Sequence, residues 1–98
     1  MITGKQRSYL RKLGQELEPV VYIGKGSMSE NVIREMDNLL KTRELIKVKL
    51  QEGCSLNAKE AANEAAGILG AEFVQAIGRR FVLYRQAEEK ENRKVVLP

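Results

Sequence analysis

Apolar positions recur at helical spacing in three segments of the chain, and each segment starts with a capping pattern. Thr3 and Gln6 form a capping box, and the helix they begin ends before Pro19. A second helix begins after Ser29 and runs to about residue 42, and a third begins at Asn57 with the same kind of start. The apolar faces consist of Leu10, Leu13 and Leu17, then Val32, Ile33, Met36, Leu39 and Leu40, then Ala58, Ala61, Ala62, Ala65, Ile68 and Leu69.

Four shorter segments have the pattern of β-strands. Residues 20–23 are a continuous β-branched and aromatic run, which is typical of an interior strand. Residues 44–50 alternate between apolar positions and the polar Lys47 and Lys49, so one face is expected to be core and the other polar. Residues 73–77 and 80–85 are separated by Gly78 and Arg79, a pair that suits a type II′ hairpin turn.

The order α-β-α-β-α-β-β predicts one compact α/β domain with a mixed four-stranded sheet over residues 1–85. Alternating helices and strands favour parallel crossovers, whereas the last two strands must be antiparallel. Residues 86–98 form a charged C-terminal tail. Its first part, residues 86–94, has no periodicity and is expected to be mobile, while the apolar residues 95–97 could dock on the domain.

Composition excludes several kinds of chemistry. The 98 residues contain no histidine and one cysteine, Cys54, so Ser-His and Cys-His dyads, the common zinc sites and an internal disulfide are all absent. No apolar run approaches the length of a membrane span. A catalytic Ser-Lys pair is not excluded by the composition. We therefore expect no catalytic residue, metal, cofactor, small-molecule substrate or membrane contact, and a lone thiol fits the reducing cytoplasm.

The net charge of +4 is unevenly distributed. Residues 1–29 carry five basic and two acidic side chains, residues 30–70 six and seven, and residues 71–98 six and four. Scattered cations of this kind could bind a polyanion or could simply keep the protein soluble. The candidate cations outside the glycine turn are Lys5, Arg7, Arg11, Lys12, Lys47, Lys49, Arg79 and Arg80.

The turn formed by Gly24, Lys25, Gly26 and Ser27 is the best candidate for a binding element. It joins the first strand to the start of the second helix, where free N–H groups and the helix dipole favour an anion. Two glycines would let a ligand approach the backbone closely, and Lys25 adds a positive charge. The alternative is that the glycines only turn the chain. Tyr22 beside the turn could either stack on a base or lie at the edge of the core.

Several stretches together resemble the CRM domain (chloroplast RNA splicing and ribosome maturation), in particular the stand-alone bacterial YhbY-like proteins. The resemblance covers essentially the whole chain. Its most specific parts are the strand Leu45-Ile46-Lys47-Val48-Lys49 and the hairpin from Ile77-Gly78-Arg79 to Leu83-Tyr84-Arg85. The other parts are residues 10–14, residues 19–26 and residues 93–98.

The resemblance implies a fold similar to the C-terminal domain of translation initiation factor three, and RNA as the partner. Bacterial members of the family associate with precursors of the large ribosomal subunit. The family's RNA contact lies at a GxxG loop, which falls on Gly24, Lys25, Gly26 and Ser27 here. Ser27 departs from the pattern, because the family has glycine at that position.

Together with this resemblance, the sequence predicts a non-catalytic, cytoplasmic, monomeric protein, and the resemblance implies that it binds ribosomal RNA of the large-subunit precursor. The glycine turn would grip the phosphate backbone and the other cations would support it. Two alternatives remain open. The first is an adaptor that docks on a ribosomal or acidic protein, and the second is a small hydrolase or nuclease, for which the missing histidine is the main obstacle.

Overall fold

A computed structural model describes residues 2–25 and 28–98 of the chain. The described residues form the predicted order of helices and strands, so the α/β fold class is confirmed. The elements are α1 (Gly4–Gln15), β1 (Val21–Ile23), α2 (Glu30–Arg43), β2 (Leu45–Leu50), α3 (Ala58–Leu69), β3 (Glu72–Ile77) and β4 (Arg80–Tyr84), followed by a short 3-10 turn at Lys90–Asn92.

The helix starts follow the side-chain capping that the sequence predicts. The Thr3 hydroxyl accepts from the N–H of Gln6 at 3.1 Å, and the Gln6 side chain accepts from the N–H of Thr3 at 3.0 Å. Ser29 caps α2, and Asn57 accepts from the N–H of Glu60 at 2.8 Å to cap α3. Each cap satisfies a backbone donor that a helix start would otherwise leave without a partner.

The four strands form one mixed sheet in the order β1-β2-β4-β3. The prediction of an interior strand at residues 20–23 is therefore wrong: β1 lies at an edge of the sheet, and only the side bearing Val21 and Ile23 is buried, whereas Tyr22 is exposed. β1 runs parallel to β2, and β4 pairs antiparallel with both β2 and β3. In the turn between β3 and β4, Gly78 has φ of +61° while Arg79 does not have a positive φ. These two signs match the expected type II′ turn.

The two faces of the sheet are covered to different extents. Helices α2 and α3 pack on one face and bury Ile46, Val48, Leu50, Phe81 and Leu83. The buried side of α3 is largely alanine, which allows that helix to approach the sheet closely. Helix α1 alone packs on the other face, around Leu10, Leu45, Val74, Val82 and Tyr84.

Helix α1 is too short to cover its whole face of the sheet. Near its last residue, Gly14 lies so close to β4 that a Cβ atom there would be 3.2 Å from a methyl group of Val82. The helix ends one residue later, at Gln15. Beyond that point, this face of the sheet has no helix over it among the described residues.

A buried glutamate holds the C-terminal tail. Glu44 lies between α2 and β2, is fully buried, and has φ of +65°. Its carboxylate accepts hydrogen bonds from the N–H groups of Lys94 at 2.6 Å, Val95 at 2.9 Å and Ala87 at 2.7 Å. These three bonds supply the compensation that a buried carboxylate needs.

The tail therefore packs on the domain, in contrast to the mobility expected for residues 86–94. Arg93 donates from Nε to the carbonyl oxygen of Ala87 at 2.9 Å, and Gln6 donates to the carbonyl oxygen of Pro98 at 3.2 Å. Val95 and Leu97 pack against the core beneath α1, as their apolar character allows. The sequence of this segment does not indicate its path, because the residue that holds it, Glu44, is distant in sequence.

Candidate nucleic-acid interface

The uncovered part of the sheet carries a row of four side chains, one from each strand. Tyr22 of β1 pairs with Lys49 of β2, Lys49 pairs with Arg80 of β4, and Arg80 pairs with Ile77 of β3. Residues paired across strands point to the same face of a sheet, and side chains on neighbouring strands lie about 5 Å apart. The row therefore brings an aromatic ring, two cations and an aliphatic side chain onto one surface.

A second row lies beside the first, closer to α1. Lys47 of β2 pairs with Val82 of β4, which in turn pairs with Gln75 of β3. Val82 is covered by α1, whereas the other two side chains are only half-buried. We call the surface formed by both rows the open sheet face; it consists of Tyr22, Lys47, Lys49, Gln75, Ile77 and Arg80.

The open sheet face is both positively charged and exposed. Tyr22 is 49% exposed and Ile77 is 65% exposed, which is high for such large apolar side chains. Among residues 2–25 and 28–98, the ion pairs join Asp37 to Lys41 and Arg85, and no carboxylate pairs with the three cations of this face. Their charge is therefore available to a ligand.

The resolved pKa shifts belong to residues outside this surface. The hydrogen bond from Arg85 holds the pKa of Asp37 below its ordinary value, and burial raises the pKa of Tyr84. Both groups help to hold the fold.

The described half of the glycine turn lies at the same end of the sheet as the first row. The carbonyl oxygen of Ile23 accepts from the N–H of Gln51 at 2.9 Å, and a Cβ atom on Gly24 would lie 3.3 Å from the Gln51 side chain. The stem of Lys25 lies beside Gly53, and its side chain is exposed. Gly26 and Ser27, the other two residues of the proposed clamp, lie outside the described residues, so the clamp stays a prediction.

Arg79 and Arg80 at the hairpin have different surroundings. The Arg79 guanidinium donates to the carbonyl oxygens of Leu50 at 3.4 Å and Gln51 at 3.0 Å. Its own carbonyl oxygen accepts from the N–H of Leu50 at 2.7 Å. Arg79 therefore fastens the hairpin to the end of β2, while Arg80 is exposed on the open sheet face.

The basic residues of α1 are not part of this surface. Arg7 and Arg11 donate to the carbonyl oxygens of Phe73 at 3.1 Å and Val74 at 3.5 Å, where a bulge interrupts the pairing of β3 with β4. Carbonyl oxygens on an edge strand otherwise lack a partner within the sheet. Lys5 and Lys12 are exposed and lie seven residues apart, on the side of the helix away from the sheet.

The structure thus gathers part of the predicted set on one surface. Lys47, Lys49 and Arg80 share the open sheet face, and Lys25 and Arg79 lie at its edge. Gln75 and Ile77 were not among the predicted residues. A regular β3 would place them on the face opposite Val74, but the bulge between Phe73 and Gln75 shifts the alternation and turns all three toward the α1 side.

Other kinds of site find no support in the described part of the chain. It contains no cluster of three or more acidic or cysteine side chains suited to a metal ion. Cys54 is a free, half-buried thiol. None of the described helices has the length and apolar character needed to cross a bilayer.

Comparison with known proteins agrees with the resemblance seen in the sequence. The model of the CRS1/YhbY (CRM) domain matches residues 2–85. The chain belongs to this family. A solution structure of a hypothetical protein from Staphylococcus aureus shares 40% sequence identity with this CRM chain, has a TM-score of 0.81, and is matched over 100% of both chains.

Two bacterial relatives of this CRM chain are similar along nearly their full length. YqeI of Bacillus subtilis, named as a probable RNA-binding protein, is 37% identical over 98 residues, which is 100% of both chains. A protein of Haemophilus influenzae, named as an RNA-binding protein, is 36% identical over 97 residues, which is 99% of this chain and 95% of the relative.

Proposed function

We propose that this chain is a non-catalytic RNA-binding protein and that the open sheet face is its RNA contact. The observation that carries the proposal is the row of Tyr22, Lys49, Arg80 and Ile77, one residue per strand, on a part of the sheet that no helix of the described residues covers. The names of the relatives from B. subtilis and H. influenzae support RNA as the ligand.

The chemistry of this surface suits a nucleic-acid strand. Lys47, Lys49 and Arg80 would neutralise phosphates and release counterions, which is the main source of affinity for a polyanion. Tyr22 offers a partly exposed ring on which a base can stack, and base–aromatic stacking tolerates any sequence. The sequence contains no histidine, and the described residues contain no side-chain cluster suited to a metal ion. The usual catalytic groups for RNA cleavage are therefore missing from the described residues.

The finer parts of the proposal concern the RNA and the glycine turn. We propose ribosomal RNA of the large-subunit precursor as the target and a monomer in the cytoplasm as the acting form. Gly24 and Lys25 follow β1 directly, so a strand crossing Tyr22 would reach the turn next. There, Lys25 and the start of α2 would hold one more phosphate, with Gly26 and Ser27 contributing backbone N–H groups.

A titration of a short, fluorescently labelled stem–loop RNA at several salt concentrations tests the proposal. The informative variant is Lys49→Gln with Arg80→Gln, which neutralises two neighbouring cations without adding a negative charge. Each lost phosphate contact removes about 0.7 to 0.9 from the slope of log K against log salt, or about 4- to 6-fold in affinity at 0.15 M salt. The double variant should therefore bind about 15- to 30-fold more weakly, with a slope reduced by about 1.5.

The matched control is Lys59→Gln with Lys90→Gln, which removes the same charge from exposed positions on α3 and the 3-10 turn. The control should bind as tightly as the parent protein. Equal losses in both double variants would show that only net charge matters, and would overturn the assignment of the open sheet face. Binding to ribosomal particles that survives RNase treatment would instead favour the adaptor function.

A further inference from the structure

A cavity of about 190 Å³ opens on the α1 side of the open sheet face. Its lining includes the last two residues of α1, Gly14 and Gln15, together with Lys47, Gln75, Arg80 and Val82 of the sheet. The cavity exists because α1 ends here: Gly14 brings the helix against Val82, and α1 has no residue beyond Gln15 to fill the space over β3 and β4.

The volume of this cavity matches one flat ring. An engineered apolar cavity of about 150 Å³ in another protein holds benzene. A space of about 190 Å³ therefore accommodates a six-membered aromatic ring with its substituents, which is the size of a pyrimidine base. The side chains of Val82 and Ile77 give it apolar surface for the face of such a ring.

The polar groups of the cavity suit a base attached to a phosphate. Gln15 is exposed and Gln75 is half-buried, and among the described residues neither amide side chain has a hydrogen-bond partner. An amide both donates and accepts, so it can pair with the edge of a base. Lys47 and Arg80 lie on neighbouring strands at the cavity, where they would hold the phosphates on either side of an inserted base.

We propose that this cavity binds the base of one unpaired pyrimidine nucleotide. The inference rests on the proposed RNA-binding function and adds to it a preference for RNA with a bulged or looped-out nucleotide. The cations supply affinity for any RNA, whereas Gln15 and Gln75 form hydrogen bonds only when a base occupies the cavity. Because a base inside a regular duplex is stacked and paired, only an unpaired base can enter.

The main comparison is between two RNA duplexes that differ only in one bulged nucleotide, a uridine in one and an abasic residue in the other. Both carry the same phosphates, so the ratio of their affinities measures the contribution of the base alone. The parent protein should bind the uridine bulge about 5-fold or more tightly, the lower bound for one amide–base pair. A bulged adenosine should bind more weakly than the uridine, because its larger two-ring base would project from the open side of the cavity.

The variants are Gln75→Leu and Gln15→Leu, which keep the side-chain size but remove the hydrogen-bonding groups. Each should lower the uridine-to-abasic ratio toward 1. Gln15 is not part of the open sheet face, so Gln15→Leu should keep the parent's affinity for the abasic RNA, which also shows that this variant is folded. Gln15 is exposed at the end of α1, so its replacement provides the test even if Gln75→Leu is unstable.

Each remaining outcome has a distinct meaning. If the parent protein binds both RNAs equally, or prefers the adenosine bulge, the pyrimidine cavity is overturned while RNA binding stands. If the leucine variants keep the parent's ratio, the base is read elsewhere and the inference is likewise overturned. If the parent protein binds none of the RNAs, the proposed function itself fails.

Discussion

Replacing Glu44 by glutamine tests how the C-terminal tail is held. Oε1 of Glu44 accepts from the N–H groups of Lys94 and Val95, and Oε2 accepts from the N–H of Ala87. Glutamine keeps the size and the Cβ atom, so the backbone strain at φ of +65° is the same in both proteins. The amide, however, replaces one acceptor by a donor and removes the charge.

The expected cost follows from these three bonds. A hydrogen bond to a charged group contributes about 1.5–3 kcal/mol, and a buried donor left without an acceptor costs about 1–3 kcal/mol. In Glu44→Gln one hydrogen bond is lost, and the other two are made to an uncharged amide oxygen instead of a carboxylate. We expect a loss of about 3 kcal/mol in the free energy of unfolding, or about 12–24 °C in Tm for a domain of this size. Partial release of the tail would limit the loss, because water would then solvate the freed groups.

Urea unfolding and trypsin cleavage measure the effect together. The variant should unfold at a lower urea concentration. Trypsin should also cut it faster after Arg93 and Lys94, because the carboxylate that holds this part of the tail is missing. Glu89→Gln is the control, because it makes the same chemical change at an exposed position of the tail. RNA affinity should stay unchanged below the unfolding transition, since Glu44 lies at the end of the sheet opposite the Tyr22 row. An unchanged urea midpoint and cleavage rate in Glu44→Gln would refute the reasoning.

Substitutions at three further positions separate structural from binding roles. Asp37→Asn should lower stability by about 1 kcal/mol at pH 7, the upper range for a partly exposed ion pair. Because the hydrogen bond from Arg85 lowers the pKa of Asp37, this contribution is present above the ordinary pKa of 3.8 and is lost as pH falls below it. The urea midpoints of the parent protein and of Asp37→Asn should therefore converge in acid. Midpoints that stay apart at low pH would contradict the role assigned to this ion pair. Arg7→Ala should cost about 1 kcal/mol, from its bond to the carbonyl oxygen of Phe73, without changing the salt slope of RNA binding; a reduced slope would make Arg7 a phosphate contact. Tyr22→Ala should weaken RNA binding by about 1–3 kcal/mol if one base stacks on the ring, whereas Tyr22→Phe should keep the parent's affinity. Equal RNA affinities of the parent protein and both variants would exclude stacking.

The order of elements is predictable from the sequence because its signals are local. Capping patterns at Thr3, Ser29 and Asn57, alternation along β2, and a glycine at the β3–β4 turn each act within a few residues. These signals agree with one another, so the helices, the strands and the mixed sheet follow from the sequence.

The path of the tail and the roles of the arginines depend on contacts that are distant in sequence. Glu44 contacts residues 43 to 51 positions away, and Arg7 contacts a carbonyl oxygen 66 positions away. In the sequence both look like ordinary charged surface residues. Nothing local distinguishes an arginine that satisfies a strand edge from one that is free to bind phosphate.

The candidate site was predictable only in part, for a related reason. Alternation along β2 predicted a polar face bearing Lys47 and Lys49, and the structure places them on the same side. Two other features of the surface arise from tertiary structure. Helix α1 stops short of Tyr22 and Arg80, and a bulge in β3 turns Gln75 toward them.

Amide chemical-shift mapping by NMR during titration with unlabelled stem–loop RNA tests the central claim most directly. The largest shifts should fall on the open sheet face, at Tyr22, Lys47, Lys49, Gln75 and Arg80, and should extend to Lys25. The α3 helix and the tail should stay near their free positions. Shifts concentrated on α2 and α3, or on residues 86–98, with the open sheet face unperturbed, would contradict the account.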